Sequence, residues 1–189
     1  MAKSILLVGV GGQGTILAAK ILTVGLMEAG YDVKMSEIHG MSQRGGAVSS
    51  HVRYGEKVHS PVIELGGADV LIAFEQMEAL RWIEYMKPGA KAVVNSQIIK
   101  PTPVLIGNAT YSDKILDELK AKADTTVLDA QTEAVGVGNA RALNILLAGA
   151  AIKLMGLDGI NWDKIIADNV KPAFVEVNQK ALKRGMELV

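Results

Sequence analysis

The chain has 189 residues, 49% of them hydrophobic and 21% charged, with 20 basic side chains against 20 acidic ones and no cysteine. That length suits one domain able to bury about 70% of the surface its unfolded chain would expose, and the composition is neither that of a disordered chain nor that of a disulfide scaffold. Without a thiol the chain has no disulfide, thiolate nucleophile, cysteine-rich zinc site or cysteine-ligated iron-sulfur cluster, and its balanced charge argues against a chain-wide attraction to nucleic acid or an anionic membrane.

Residues 5–8 are a continuous apolar run of the kind buried on both faces in a parallel sheet. This opening stretch is too short for the core of a signal peptide. Glycines follow it, and over residues 13–29 Ile16, Leu17, Leu22 and Leu26 recur at helical spacing until Gly30 closes the segment. Residues 31–36 read as a second strand and residues 37–46 (EIHGMSQRGG) as a glycine-rich polar loop. Residues 48–54 alternate as a strand, and Gly55-Glu56 before Lys57-Val58 predicts a hairpin, hence a partly antiparallel sheet.

A strand at 70–74, a helix at 75–86, a turn at Lys87-Pro88-Gly89 and a strand at 92–95 continue the β/α alternation. Pro101 and Pro103 confine the next segment to a loop or sheet edge, with a short strand expected at 104–106. A helix at 113–123 and a strand at 125–128 come next. Beyond Gly138 the chain turns helical, at 139–155, at 161–169 with Asn161 as cap, and in a last helix with Pro172 in its first turn. The apolar stretch 142–155 is broken by Asn144 and Lys153 and falls short of the roughly 20 residues a membrane span needs. The expectation is one soluble, cytoplasmic domain over residues 1–189. It is of the α/β class, a three-layer α/β/α Rossmann-like domain with a mostly parallel, mixed sheet and additional C-terminal helices.

Gly9-Val10-Gly11-Gly12-Gln13-Gly14 satisfies G-x-G-x-x-G directly after a strand and at the start of a helix. Gly9 permits a tight turn, Gly11 lets backbone approach a ligand, Gly14 allows close helix packing, and the helix N-terminus offers N–H groups to an anion. Glu37, about 23 residues on, stands where a ribose-binding acid would be expected. Against a dinucleotide site, the chain has no clear second nucleotide half or substrate domain. Three readings stay open: a dinucleotide, another phosphate-bearing ligand, or a packing turn with no ligand.

The opening VGVGGQGT, the segment SEIHGMSQRGGAVSSHVR, the stretches EKVHSPVI and ADVLIAFEQMEALR, the strand ending VVN, and GNARALNILLAGA follow one another over nearly the whole chain. Together they resemble the small β subunits of the indolepyruvate ferredoxin oxidoreductase family, and more broadly the γ domain of the 2-oxoacid:ferredoxin oxidoreductases. The general γ pattern lies in Gly9, Gly11, Gly12, Gln13, Gly14, Arg44, Gly45, Gly138, Asn139 and Asn144. The aryl-pyruvate branch is suggested by Ser36, Glu37, His39, Gly40 and the run 43–46, while Ala140 stands where the family often has proline.

The resemblance implies a subunit of a heteromeric, cytoplasmic enzyme, inactive alone, that decarboxylates an aryl 2-oxoacid, captures the acyl group on coenzyme A and passes electrons to ferredoxin. Thiamine diphosphate, magnesium and iron-sulfur clusters are expected on a large α subunit. A γ subunit acting on pyruvate or 2-oxoisovalerate, a free-standing NAD-binding oxidoreductase and a non-enzymatic scaffold are the alternatives.

Cofactor-binding candidates are Gly9, Gly11, Gly12, Gln13, Gly14, Glu37, Arg44 and Gly45; His39 and Arg44 are the catalytic candidates, and no metal site is expected. Arg44 can pair bidentately with a phosphate or carboxylate, or stand solvated in its loop. His39 can donate to a substrate carboxylate or bond nearby backbone. Asn144, inside an apolar helix, must find a hydrogen-bond partner and is expected to tie helix to sheet. Gly149 and Ala150 permit close approach, so the 142–155 surface is expected in the core and in part at a subunit interface.

Overall fold

The structure, a computed structural model, describes residues 2–39 and 46–189, and of His39 its backbone. Six strands form one sheet in the order β2-β3-β1-β4-β5-β6, with β1 Lys3–Val10, β2 Asp32–His39, β3 Ala47–Gly55, β4 Ala68–Ala73, β5 Met86–Asn95 and β6 Asp124–Leu128. β1, β4, β5 and β6 pair in parallel, whereas β3 runs antiparallel between β1 and β2. The sheet is therefore mixed and mostly parallel, as expected.

Along β1 the side chains alternate between two cores. Ile5 and Leu7 face α1 (Thr15–Glu28), α6 (Leu143–Leu154), α7 (Trp162–Asn169) and α8 (Val175–Glu187); Leu6 and Val8 face α2 (Gln76–Arg81) and α4 (Ile115–Lys122). All four are fully buried, which explains why β1 reads as an unbroken apolar run instead of an alternating one. Residues 143–152 of α6 are all buried, as an all-round apolar helix must be. Its Gly149 is filled by the backbone of α8 at Leu182, so the interface expected there is a contact within the chain.

Several expected elements differ. No strand follows Gly55 before Ala68, and the hairpin is absent. Residues 56–67 form a strap instead: Val58 N–H donates to the Asp32 carboxylate (2.9 Å), Ile63 N–H to His51 Nδ1 (3.1 Å), and Arg53 to the Ser60 carbonyl (3.1 Å). The antiparallel part of the sheet comes from the return of β3. Of the polar loop expected over residues 37–46, Glu37, Ile38 and His39 belong instead to β2, and residues 40–45 lie outside the described residues.

Lys87-Pro88-Gly89 is an irregularity within β5, not a turn before it: Ala68 pairs with Met86 but Val70 with Lys91, and Gly89 takes a φ of 78°. Of the segment expected as a strand at 104–106, Val104 and Leu105 end α3 (Thr102–Leu105) and Ile106 is its C-cap; the fixed φ of proline suits the first turn of that helix. The helix expected over 75–86 ends at Arg81, and Met86 opens β5. An unforeseen helix, α5 (Ala130–Gly136), starts where the Asp129 side chain accepts the Thr132 N–H. Asn161 caps α7 in the same way, through Lys164 N–H, as expected, whereas Pro172, expected in the first turn of the last helix, opens the 3₁₀ turn that precedes α8. No helix among the described residues is long and apolar enough to cross a membrane.

Candidate functional site: a glycine-loop cleft

The chain leaves β1 through Gly11, Gly12 and Gln13 and enters α1 at Gly14, whose φ of 80° is the left-handed conformation that glycine adopts without strain. Gly9 has no room for a side chain: a Cβ would lie 2.8 Å from Gln13 Oε1 and 2.9 Å from Phe74 Cβ. At Gly14 a Cβ would lie 2.6 Å from Asn144 Nδ2. Asn144 donates to the Gly14 carbonyl at 3.0 Å and takes the Ile145 N–H on its oxygen at 2.8 Å. The partner expected for this buried amide is therefore the glycine loop, reached from α6.

Gln13 is a staple. Its Oε1 accepts the Val10 N–H at 2.8 Å, while Nε2 donates to the Phe74 carbonyl at 2.8 Å and to Gln97 Oε1 at 3.0 Å. Fully buried Asn95 repeats the device, donating to the Phe74 carbonyl (3.1 Å) and accepting Ala130 N–H (3.2 Å). These two amides hold together the carboxyl ends of β1, β4 and β5 and the start of α5. Two amides of the loop are already engaged, Gly11 N–H with the Gly46 carbonyl (2.9 Å) and Gln13 N–H with the Val10 carbonyl (3.2 Å).

Beside the staple lies a cleft of about 430 Å³ lined by Gly12, Gln13, Gly14, Gln97, Gln131, Ala140, Arg141 and Leu143. It stands at the carboxyl ends of the parallel strands, where open α/β sheets bind ligands. Exposed Arg141 at its rim also borders a second hollow of about 290 Å³, walled by Leu17, Val170 and Phe174. A phosphate could meet the α1 N-terminus and Arg141 together, with an apolar portion of the same molecule reaching the hollow.

Glu37 and His39 lie at the same end of the sheet, since His39 is level with Val48 and Val48 with Gly9. In a dinucleotide-binding fold the strand bearing the ribose acid adjoins the glycine-loop strand. Here β3 intervenes, which puts Glu37 two strands away, about 10 Å. Arg44 and Gly45, with Gly40 and Gln43, lie outside the described residues. Gln97 and Gln131 escaped the sequence reading; the one signal they give is a polar side chain soon after an apolar strand.

A second polar group, also missed, caps α2. Glu75 is buried; it accepts the Glu78 N–H at 3.0 Å, the Ile99 N–H at 3.2 Å and the Tyr111 hydroxyl. Glu78, also buried, pairs with Arg81 at 2.6 Å. Burial pushes the Glu78 carboxyl above the usual glutamate range, against the opposing pull of Arg81. Among the described residues no group of three or more potential metal ligands gathers.

The mostly parallel sheet, the cleft at the carboxyl ends of its strands and the glycine loop define a Rossmann-like α/β fold. The chain belongs to the pyruvate ferredoxin/flavodoxin oxidoreductase family, whose pattern it matches over residues 4–188. It is 38% identical to the indolepyruvate oxidoreductase subunit IorB of Pyrococcus horikoshii, over 97% of this chain and 94% of that one. It is 29% identical to the 2-oxoglutarate synthase subunit KorC of Methanothermobacter thermautotrophicus, over 99% and 95%. Among solved structures, the γ subunit of a keto/oxoacid ferredoxin oxidoreductase from Geobacter sulfurreducens superposes with a TM-score of 0.73 at 26% identity, over 98% of this chain and 97% of that one. All three are named as subunits, in keeping with an oxidoreductase subunit.

Proposed function

We propose that this chain is the small subunit of a cytoplasmic, heteromeric oxidoreductase that oxidatively decarboxylates an aryl 2-oxoacid such as indolepyruvate, with coenzyme A as acyl acceptor and ferredoxin as electron acceptor. The supporting observation is the higher identity to the indolepyruvate-named subunit, 38% against 29% for the 2-oxoglutarate-named one, each over nearly the full length. The chain has no cysteine, so it does not fit an iron-sulfur cluster with cysteine ligands. The partner is accordingly a large subunit that holds the clusters, thiamine diphosphate and magnesium.

Coenzyme A fits the donor set at the glycine loop. The N–H groups of Gly12 and Gly14 and the Arg141 guanidinium would hold its phosphates; Arg44, Gly45 and the His39 side chain, the further candidates of the sequence, lie outside the described residues. When bound, it supplies the thiol that takes the acyl group. The work of this chain is to hold and orient the phosphates, while Gln13 and Asn144 keep the loop in shape.

One observation favours a second, scaffolding reading: side chains at Gly9 and Gly14 would collide with the loop's own staples, so those glycines are needed for packing alone. Reconstitution with the large subunit separates the two. The purified chain should be inert toward indolepyruvate, coenzyme A and an electron acceptor. Arg141→Ala and Arg44→Ala should each raise KM for coenzyme A about tenfold in the reconstituted enzyme with assembly unchanged. Parallel losses of assembly and activity would establish scaffolding, and activity of the chain alone with NAD would overturn both readings.

A further inference from the structure

Three side-chain amides meet behind the glycine-loop cleft, and backbone fixes which way two of them face. Gln13 takes the Val10 N–H on Oε1 (2.8 Å), so its Nε2 points to the Phe74 carbonyl (2.8 Å) and to Gln97 (3.0 Å). Asn95 takes the Ala130 N–H on Oδ1 (3.2 Å), so its Nδ2 points to the same carbonyl (3.1 Å) and to Gln97 (3.4 Å). An amide whose oxygen accepts a backbone N–H cannot be turned over without losing that bond. Both neighbours of Gln97 therefore present donors, and only its Oε1 can answer them.

The Gln97 amide is in consequence itself oriented, with Nε2 turned from Gln13 and Asn95. Its main chain is held too: the Gln97 carbonyl accepts the Gln76 N–H (3.3 Å), and the Ser96 carbonyl accepts Gln76 Nε2 (3.1 Å). Gln97 is half-buried and lines the cleft. Its Nε2 donates to nothing among the described residues, yet it is not one of the sealed atoms that lack a partner, so a molecule in the cleft can reach it.

A glutamine free to turn offers a ligand either its oxygen or its nitrogen, whereas this one is locked to offer N–H. The bond to Gln13 is what aims it, and the donor needs no reorganisation to meet an acceptor. The N–H groups of Gly12 and Gly14 are likewise unoccupied within the fold, and no carboxylate lines the cleft. We propose that Gln97 is a phosphate-binding residue: its Nε2 donates to a phosphate oxygen of the coenzyme A assigned to this cleft, beside the two glycine N–H groups. Together they select a group that accepts hydrogen bonds. The name of the ligand rests on that assignment; the direction of the Gln97 donor does not.

Two measurements test this. When the isotope-labelled full chain is titrated with inorganic pyrophosphate and followed by NMR, the Gln97 side-chain N–H resonances should shift saturably together with the Gly12 and Gly14 amides. In the reconstituted enzyme, Gln97→Glu keeps an oxygen for Gln13 and Asn95 but turns a second oxygen, not N–H, into the cleft. It should raise the calorimetric Kd and the KM for coenzyme A about tenfold or more, and uncharged Gln97→Met should raise both about fivefold. Gln131→Glu sets the same charge elsewhere on the cleft wall, and at about 0.5 M salt it should raise them less than about threefold. A Gln97 side chain unmoved by pyrophosphate would overturn the contact, as would wild-type Kd in Gln97→Glu or Gln97→Met. Equal losses in Gln97→Glu and Gln131→Glu would reduce the effect to charge and overturn it as well. The pyrophosphate titration uses neither partner nor turnover: a shift at Gln97 in a chain whose reconstituted complex proves inert with coenzyme A would sink the oxidoreductase reading and leave the Gln97 donor standing.

Discussion

The two faces of the sheet are built on opposite principles. On the α1/α6 face the packing is steric and close: Gly25 receives the ring of Trp162, Gly149 the Leu182 carbonyl, and Gly185 the Leu146 carbonyl. On the α2/α4 face, thinned by the strap over β3, polar groups are sealed in. His51, Ser49, Glu75 and Glu78 are all buried. Of the five buried side-chain atoms without a partner among the described residues, four (Ser49 Oγ, His51 Nε2, Arg53 Nε and Glu78 Oε2) belong to this second face, and the fifth is the Tyr54 hydroxyl. The first face obtains its specificity from shape; the second carries electrostatic tension that pH can reach.

The largest expected effect tests the steric face. In Gly185→Ala a methyl would overlap backbone at Leu146, which cannot swing aside, and α8 must shift. A loss of about 3 kcal/mol or more should appear as a lowered urea midpoint; a loss under about 1 kcal/mol would mean that the helix pair is looser than the contrast requires.

Asn144→Ala strips the Gly14 carbonyl of its cross-molecule donor. It should cost about 2 kcal/mol in the same measurement. It should also raise KM for coenzyme A in the reconstituted enzyme, because the loop loses its brace.

Glu78 tests the polar face. Its pKa is higher in the folded state, so between the ordinary glutamate value and the raised one the native protein binds more protons than the unfolded chain, and stability falls as pH rises through that window. Glu78→Gln should abolish that part of the slope in urea titrations made at successive pH values, and an unchanged slope would remove Glu78 from the account. The smallest effect belongs to neither face: Lys180→Ala breaks the exposed pair with Glu176 and should leave the midpoint unmoved.

What could be read from the sequence follows the range of the interactions involved. Gly30 after α1, Asn161 before α7 and the apolar run of β1 act over a few residues, and each signal points where the structure puts it. Val104 to Ile106 misled because β-branched residues spoke for a strand while the neighbouring prolines were starting a helix. A partly antiparallel sheet is what the sequence suggests, but through a hairpin at Gly55-Glu56 that does not form; the antiparallel pairing lies between β3 and its neighbours β1 and β2, a long-range choice where Gly55-Glu56 is a local signal. The glycine loop was legible as the turn between β1 and α1. The partners that shape it were not: Gln97 lies 84 residues from Gln13, and Asn144 lies 130 from Gly14. No local pattern encodes such a pairing.

That last separation also has a meaning in time. At ordinary rates of synthesis, 130 residues take about 7 to 26 s to emerge, so β1 and α1 exist well before the side chain that braces the loop between them. The glycine-loop backbone near the start of the chain is finished only when its last third arrives. A nascent or truncated chain lacking α6 should therefore show fast amide hydrogen exchange around Gly14 even where β1 and α1 are already protected.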